Sequence, residues 1–515
     1  MKNIYLRKRM TASCMAAMLL LSGCASGEKK NDEKPSESKE EFVPRTVAVI
    51  EAEDGQLIGV NKESSDEGYS GTGYVSGFTA DGDAAVMKVP VEEDGFYDLK
   101  FTCSMQGGYK ENYVYVDGES VGTVAGDSPS FCCITIPHVF LAKGDHEVKV
   151  EKYWGYINLD KLEVVTGAPF DEDIYKVTES LVDKQASPNA RRVYKYLYDN
   201  YGKNIISGQY CDGPFGKEMA AIKKETKEGS PDGAGRLPAM VGLDMSGYST
   251  TSMENGIVPN AIDMAEMAWS NNCIITMCWH WTVPSEYLTG TWYSSFYKEH
   301  TNINLDRIMN GQDDKGYELL VRDMESVATQ LEILSEKDIP VLWRPLHEAS
   351  GGWFWWGDCS AESYIKLYKL MYEIFTEKHG LHNLIWVWNG QSADWYPGDD
   401  VVDIVGTDIY PGQRVYTSQY PKYIENVEIP TERKIVTLSE NGCLVDPELA
   451  VRDNAMWSYF GTWSGEFVVE DSTLIVYDDT YTDKEMLKKV YNHENVITRD
   501  ELPVLSEYEM APERK

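Results

Sequence analysis

From residue 205 onward, short apolar runs alternate with longer helix-period segments, and this alternation restricts the possible folds more than any other property of the chain. The runs are 205–207, 239–244, 273–278, 339–343, 384–388, 402–406, 435–438 and 473–476. Segments 261–271, 317–336, 360–379 and 446–459 have helical periodicity. A further helix is expected over 187–201, where Ser187 supplies an N-cap, Pro188 occupies the first position and Gly202 follows the end. Alternation of this kind means a parallel α/β fold, and about eight strands favour a (β/α)8 TIM barrel over an open sheet. No glycine-rich dinucleotide fingerprint or phosphate-binding loop appears, which weighs against the doubly wound alternative.

The preceding region has another texture. Over 46–166 short alternating strands are separated by Gly, Asp and Asn turns, the pattern of an antiparallel β-sandwich of jelly-roll type. The expected order is thus a sandwich module at 46–166, a linker at 167–174 and the barrel at 175–510. Residues 25–45 are polar and read as a flexible tether. Residues 1–24 read as a processing segment, with a basic start, an apolar stretch too short to span a bilayer, and Leu21-Ser-Gly-Cys24 at its end. That ending resembles a bacterial lipobox, which implies lipidation at Cys24 and a lipid-anchored (or secreted) protein on the extracellular face of the cell envelope. The net charge of −35 argues against a nucleic-acid partner, whose phosphates demand a basic surface. Of ten Cys, eight lie beyond the leader and are too scattered for a disulfide scaffold; Cys103 could pair with Cys132 or Cys133.

In a barrel, residues just past each strand converge on one face and build the site. Here those positions hold Asp244, His280, Trp281, Arg344, His347, Glu348, Asn389, Asp408, Tyr410, Glu440 and Trp463. The densest stretch is Trp343-Arg-Pro-Leu-His-Glu-Ala-Ser-Gly-Gly-Trp-Phe-Trp-Trp-Gly357, which sets Glu348 among indoles. Indoles stack on the flat C–H faces of sugars, and glycosidic bonds are cleaved by carboxyl pairs. Glu440 in Thr437-Leu-Ser-Glu-Asn-Gly442 supplies a second carboxylate at another strand end. The expected site is therefore a glycosidase site.

Four ordered motifs carry a family resemblance. Arg344-Pro-Leu-His-Glu348 with the following Gly-Trp-Phe-Trp-Trp-Gly resembles the acid/base motif of family 26 glycoside hydrolases, and Ser439-Glu-Asn-Gly442 resembles their nucleophile motif. Cys278-Trp-His-Trp281 is similar to a sugar-binding element of that family, and Asp403-Ile-Val-Gly-Thr-Asp-Ile-Tyr410 to the segment that sets a tyrosine beside the nucleophile. The resemblance implies a retaining endo-β-1,4-mannanase without a catalytic cofactor, acting on mannan, glucomannan or galactomannan. It implies Glu440 as nucleophile and Glu348 as acid/base. It also implies His280, Trp281, Arg344, His347, Trp353, Tyr410 and Trp463 as substrate-binding residues, with Asp408 behind them. In the sandwich, Ile50-Glu-Ala-Glu-Asp54 and Trp154-Gly-Tyr-Ile-Asn-Leu-Asp160 resemble a family 35 carbohydrate-binding module. That resemblance implies a structural calcium on Glu51, Glu53 and Asp160, with Trp154 and Asn158 on the ligand. Alternatives are the same barrel acting on mixed-linkage glucan or β-1,3-xylan, an exo-acting mannobiohydrolase, and a non-catalytic surface glycan-binding protein. Loops 245–260 and 284–316 are expected to set specificity.

Overall fold

The structure is a computed structural model that describes residues 42–469 and 475–515. The leader, Cys24 and residues 25–41 of the tether lie outside the described residues. No helix among the described residues is long and apolar enough to cross a membrane.

The N-terminal module is a sandwich of two antiparallel sheets. One sheet holds Thr46–Glu51, Asn61–Glu63, Tyr74–Ser76, Gly95–Ser104, Cys132–Leu141 and Asn158–Thr166. The other holds Gln56–Ile58, Ala84–Val91, Lys110–Val116, Glu119–Gly126 and Gly144–Trp154. Alternation explains the packing. In Ala84–Val91 the side chains of Met87, Val89 and Val91 are buried while Lys88 and Pro90 are exposed, so each strand contributes one apolar face to a shared core. Cys103 faces Cys132 across a strand pair, yet both are free thiols.

The second part is a closed barrel of eight parallel strands. They are β1 (Gly208–Tyr210), β2 (Met240–Asp244), β3 (Ile274–Cys278), β4 (Val341–Arg344), β5 (Leu384–Trp388), β6 (Ile404–Ile409), β7 (Ile435–Asn441) and β8 (Phe460–Thr462). Six of the eight expected runs are barrel strands. The first and last are not. Residues Ile205–Ile206 pair instead with Val496–Ile497 in a separate two-stranded sheet, and β1 begins at Gly208. The barrel closes with Phe460–Thr462; of the expected run 473–476, residues 473–474 lie outside the described residues, and Ile475 and Val476 are in no strand. Both true strands are three residues long, too short for an apolar run to mark them. Ser187 caps Pro188–Asn200 as expected, its side chain accepting from the Ala190 N–H.

Among the described residues, His138 stands at the centre of the contacts that join the module to the barrel. His138, with φ of 59°, lies flat between Phe96 of the sandwich at 3.8 Å and Tyr420 of the barrel at 4.0 Å. Its Nε2 sits 3.0 Å from the Asp453 carbonyl oxygen. The Arg452 guanidinium lies 5.0 Å over the Phe140 ring beside it.

Candidate active site

Strand register aligns the site in two groups. Asp244 is paired with Cys278 and Cys278 with Arg344, so the ends of β2, β3 and β4 are in register, and Asp408 is paired with Glu440 one residue before the ends of β6 and β7. Beyond β4 the chain does something a strand cannot. In extended backbone, neighbouring side chains point to opposite faces, yet His347 and Glu348 both line the same cavity. Positive φ at Leu346 (52°) and at Glu348 (55°) breaks the alternation. The Glu348 N–H is held by the Asn389 carbonyl oxygen at 2.7 Å, tying this turn to the end of β5.

The cavity has a volume of about 740 Å³. Its floor holds three carboxylates, Glu348, Asp408 and Glu440, with an oxygen of each within 4.8 Å of the others. One buried cation serves two of them. Arg344 donates from Nη1 to Asp408 Oδ2 at 2.8 Å, from Nη2 to Glu440 Oε1, and from Nε to the Tyr210 hydroxyl at 3.2 Å. Tyr410 donates to Glu440 Oε2 at 2.8 Å. Asp408 Oδ1 accepts from Asn389 Nδ2 at 2.6 Å and from Ser439 Oγ at 2.8 Å. Glu348 has one side-chain partner, the Trp353 indole N–H, which donates to Oε2 at 2.9 Å.

These surroundings separate the two glutamates. Burial raises the Glu348 pKa strongly, and the charges of Asp408 and Glu440 push it the same way. Burial also raises Glu440, but Arg344 pulls against it, with help from His280 and the Tyr410 hydroxyl. Glu348 is thus the group that holds its proton and Glu440 the one that gives it up. Burial and the adjacent carboxylates lift the Tyr410 hydroxyl far above its ordinary value, so it remains a donor. His347 is held well below its ordinary value by burial, Arg344 and His280. Burial opposes charging His280, but the Asp244 carboxylate outweighs it and the pKa rises.

The expected residues divide by position. Glu348, Glu440, His280, His347, Trp353, Tyr410 and Trp463 line the cavity, and Asp408, expected behind them, lines it too. Trp353 is 42% exposed and Tyr410 43%, so both rings open to the cavity. Two expected substrate contacts are corrected. Trp281 is fully buried, stacked on Trp279 at 4.2 Å and bonded to Asp323 Oδ2 at 3.0 Å, so it supports the wall instead of touching a ligand. Arg344 is also fully buried and is consumed by the carboxylates beneath the cavity. Trp355 and Trp356 are core, their indole N–H groups taken by the carbonyls of Trp281 and His347. Residues not singled out from sequence complete the site. Tyr210 belongs to the polar floor and escapes the sequence because β1 starts later than its apolar run implies; Ser439, from the motif around Glu440, joins it there. Ser246, Gly247, Ser252 and Ile257 from one loop, with Trp292, Tyr293, Phe296 and Tyr297 from another, form walls of the cavity within the two segments expected to set specificity.

In the sandwich, Glu51, Glu53 and Asp160 converge on one turn. Ser70 donates through its N–H to Asp160 Oδ1 at 2.8 Å and through its hydroxyl to Glu51 Oε2 at 2.9 Å, and the Thr72 N–H donates to Glu53 Oε1 at 2.8 Å. Glu53 Oε2 is buried with no partner. Burial and mutual repulsion raise the pKa of both Glu51 and Asp160. Trp154 is 65% exposed, and Asn158 donates to Asp66 Oδ2 at 2.9 Å.

Comparison with known proteins agrees with this geometry. Residues 182–501 match the family described as Glycosyl hydrolase family 26, and residues 48–167 match Carbohydrate binding module (family 35). A mannan endo-1,4-β-mannosidase of Thermothelomyces thermophilus is 33% identical over 467 residues, covering 89% of this chain and 91% of that protein. Mannan endo-1,4-β-mannosidase B of a Piromyces species is 34% identical over 459 residues, covering 88% of this chain and 77% of that protein. Among solved structures, a Podospora anserina β-(1,4)-mannanase that joins the same two families superposes with a TM-score of 0.63 at 31% identity, covering 90% of this chain and 99% of that one. A paired-carboxylate barrel behind a β-sandwich, matched along most of its length by such enzymes, places the chain in glycosyl hydrolase family 26.

Proposed function

We propose that the protein is a retaining endo-β-1,4-mannanase that hydrolyses internal β-1,4-mannosidic bonds of mannan, glucomannan or galactomannan. The observation that carries the reading is the proximity of Glu348 and Glu440. Carboxyls about 5 Å apart suit double displacement, whereas an inverting pair must stand wider to admit water between acid and base, and here an oxygen of each lies within 4.8 Å of an oxygen of the other. Glu440, held by Arg344 and Tyr410, attacks the anomeric carbon as the glycosidic C–O bond breaks. Glu348 gives its proton to the departing oxygen. In the second step Glu348, now a carboxylate, takes a proton from water, whose oxygen displaces Glu440 and returns it as a carboxylate. Trp353 and Trp463 are the platforms for sugar rings. Mannan is favoured by the named activity of the relatives that align over most of the chain.

The sandwich captures the same polymer, with Trp154 and Asn158 at the ligand. Glu51, Glu53 and Asp160 fit a calcium ion: all three donate oxygen, and the unpartnered Glu53 Oε2 lacks the positive charge that calcium supplies when bound. The protein acts outside the cell, and Cys24 is its lipid attachment point.

The test is hydrolysis of mannan by Glu348→Ala and Glu440→Ala with product sizing. Each variant is expected to lose about a thousandfold or more in kcat, and the wild type to release a spread of oligosaccharides. Near-wild-type kcat in either variant sinks the catalytic assignment, and release of mannobiose alone sinks endo action.

A further inference from the structure

Two imidazoles meet at the cavity wall, and an aspartate fixes their arrangement from behind. Asp244 closes β2. Its Oδ1 accepts from the Ser246 N–H at 2.8 Å and the His280 N–H at 3.1 Å, and its Oδ2 lies 2.9 Å from His280 Nδ1. A carboxylate only accepts, so Nδ1 of His280 carries a proton, and in the neutral ring Nε2 is left as a bare acceptor. That Nε2 is 3.3 Å from Nε2 of His347. A single proton belongs between these two nitrogens, and it must come from His347. The far nitrogen of that ring, Nδ1, is buried and has no partner among the described residues. An unpaired lone pair there costs less than an unpaired N–H. Every donor therefore points one way, from His347 to His280 to Asp244.

We propose that Asp244 is a positioning residue that sets this direction, so that the two Nε2 atoms form a clasp for one sugar hydroxyl. His347 donates to the hydroxyl oxygen, and His280 accepts the hydroxyl proton. The inference rests on reading the cavity as a sugar site. The ligand class follows from the clasp itself: one atom must both accept and donate, which a hydroxyl does and a carboxylate or an ammonium does not. The 3.3 Å gap is long for a hydrogen bond, so an entering hydroxyl exchanges one weak interaction for two good ones.

Asp244→Asn isolates the effect. Its Oδ1 can keep both backbone N–H partners. Its amide NH₂ then replaces Oδ2 and donates to His280 Nδ1. His280 must move its proton to Nε2, where it meets the His347 N–H, and His347 must shift its own to the buried Nδ1. Replacement of an orienting aspartate by asparagine preserves geometry while imposing the wrong tautomer. The experiment is ¹⁵N–¹H correlation of the imidazoles in the full chain at pH 8, without sugar, followed by kinetics on a manno-oligosaccharide. The wild type is expected to show Nδ1–H on His280 and Nε2–H on His347, and the variant the reverse. KM should rise about tenfold with kcat changed less than about threefold. A wild-type His280 protonated on Nε2 overturns the proposal, as does a variant with reversed tautomers and unchanged KM. Should the variant fail to fold, the wild-type spectrum still decides the direction of donation. The spectra need no substrate. A wild type with the expected tautomers that leaves mannan intact refutes the mannanase reading and not the role of Asp244.

Discussion

Asp408→Asn should move the alkaline limb of the pH–rate profile to lower pH. In the proposed mechanism Glu348 must be protonated to act as the acid, and Asp408 is one of two carboxylates that, after burial, raise its pKa. An oxygen of each carboxylate lies within 4.8 Å of the others, and two unit charges at that distance interact by about 3.5 kcal/mol at an effective dielectric of ~20. This corresponds to about 2.5 pKa units. Arg344 sits directly on Asp408 and cancels part of its field, so about one unit is the realistic share. The sign is direct. Removing a nearby negative charge favours the Glu348 carboxylate, its pKa falls, and the protonated form vanishes at lower pH. Glu440 loses the same repulsion, so the acid limb shifts the same way and the bell slides as a whole. The assay is kcat/KM against pH on a soluble galactomannan, which reports the free enzyme's ionisations, with a melting curve as the folding control. An alkaline limb that stays within about 0.3 of a unit, or moves upward, refutes the electrostatic account.

Arg344→Met leaves Asp408 and Glu440 without their shared buried cation; a stability loss of about 3–5 kcal/mol in urea titration and near-complete loss of turnover are expected. Trp353→Phe removes the one side-chain donor, among the described residues, that favours the Glu348 carboxylate, so the alkaline limb should move the opposite way, upward by about half a unit, and KM should rise. Chelation with EDTA should lower the melting temperature of the wild type, and added calcium should restore it; Glu53→Gln should blunt both responses.

The legible part of the fold was the part buried on both sides. Six of the barrel strands show as apolar runs because parallel strands are covered by helices on one face and packed side chains on the other. Gly208–Tyr210 and Phe460–Thr462 escape because three residues carry no period. The site follows the same logic. Placement after a strand was enough to bring Glu348, Glu440, His280, His347, Tyr410 and Trp463 to one cavity. Neither placement nor a motif resemblance tells which way a side chain faces, and Trp281 and Arg344, which the resemblance assigns to the ligand, are both behind the wall. The left-handed turns at Leu346 and Glu348 have no glycine or asparagine to announce them; they follow from the floor network that holds the Glu348 N–H on Asn389. The loop walls contributed by Trp292 and Tyr293 depend on how a long connection folds back, which periodicity does not address.

The clamp at His138 bears on how the enzyme meets a polymer. Two binding sites on a loose linker search a volume, and their effective concentration falls as the linker lengthens. With the His138 imidazole stacked between Phe96 and Tyr420, and bonded to the Asp453 carbonyl, the sandwich is packed on the barrel and not merely tethered to it. Avidity then becomes a matter of span. A chain long enough to reach from module to cleft gains from both sites at no further orientational cost, and a shorter one gains nothing. The advantage of the module should therefore appear as a step with chain length, and His138→Ala should round that step into a slope.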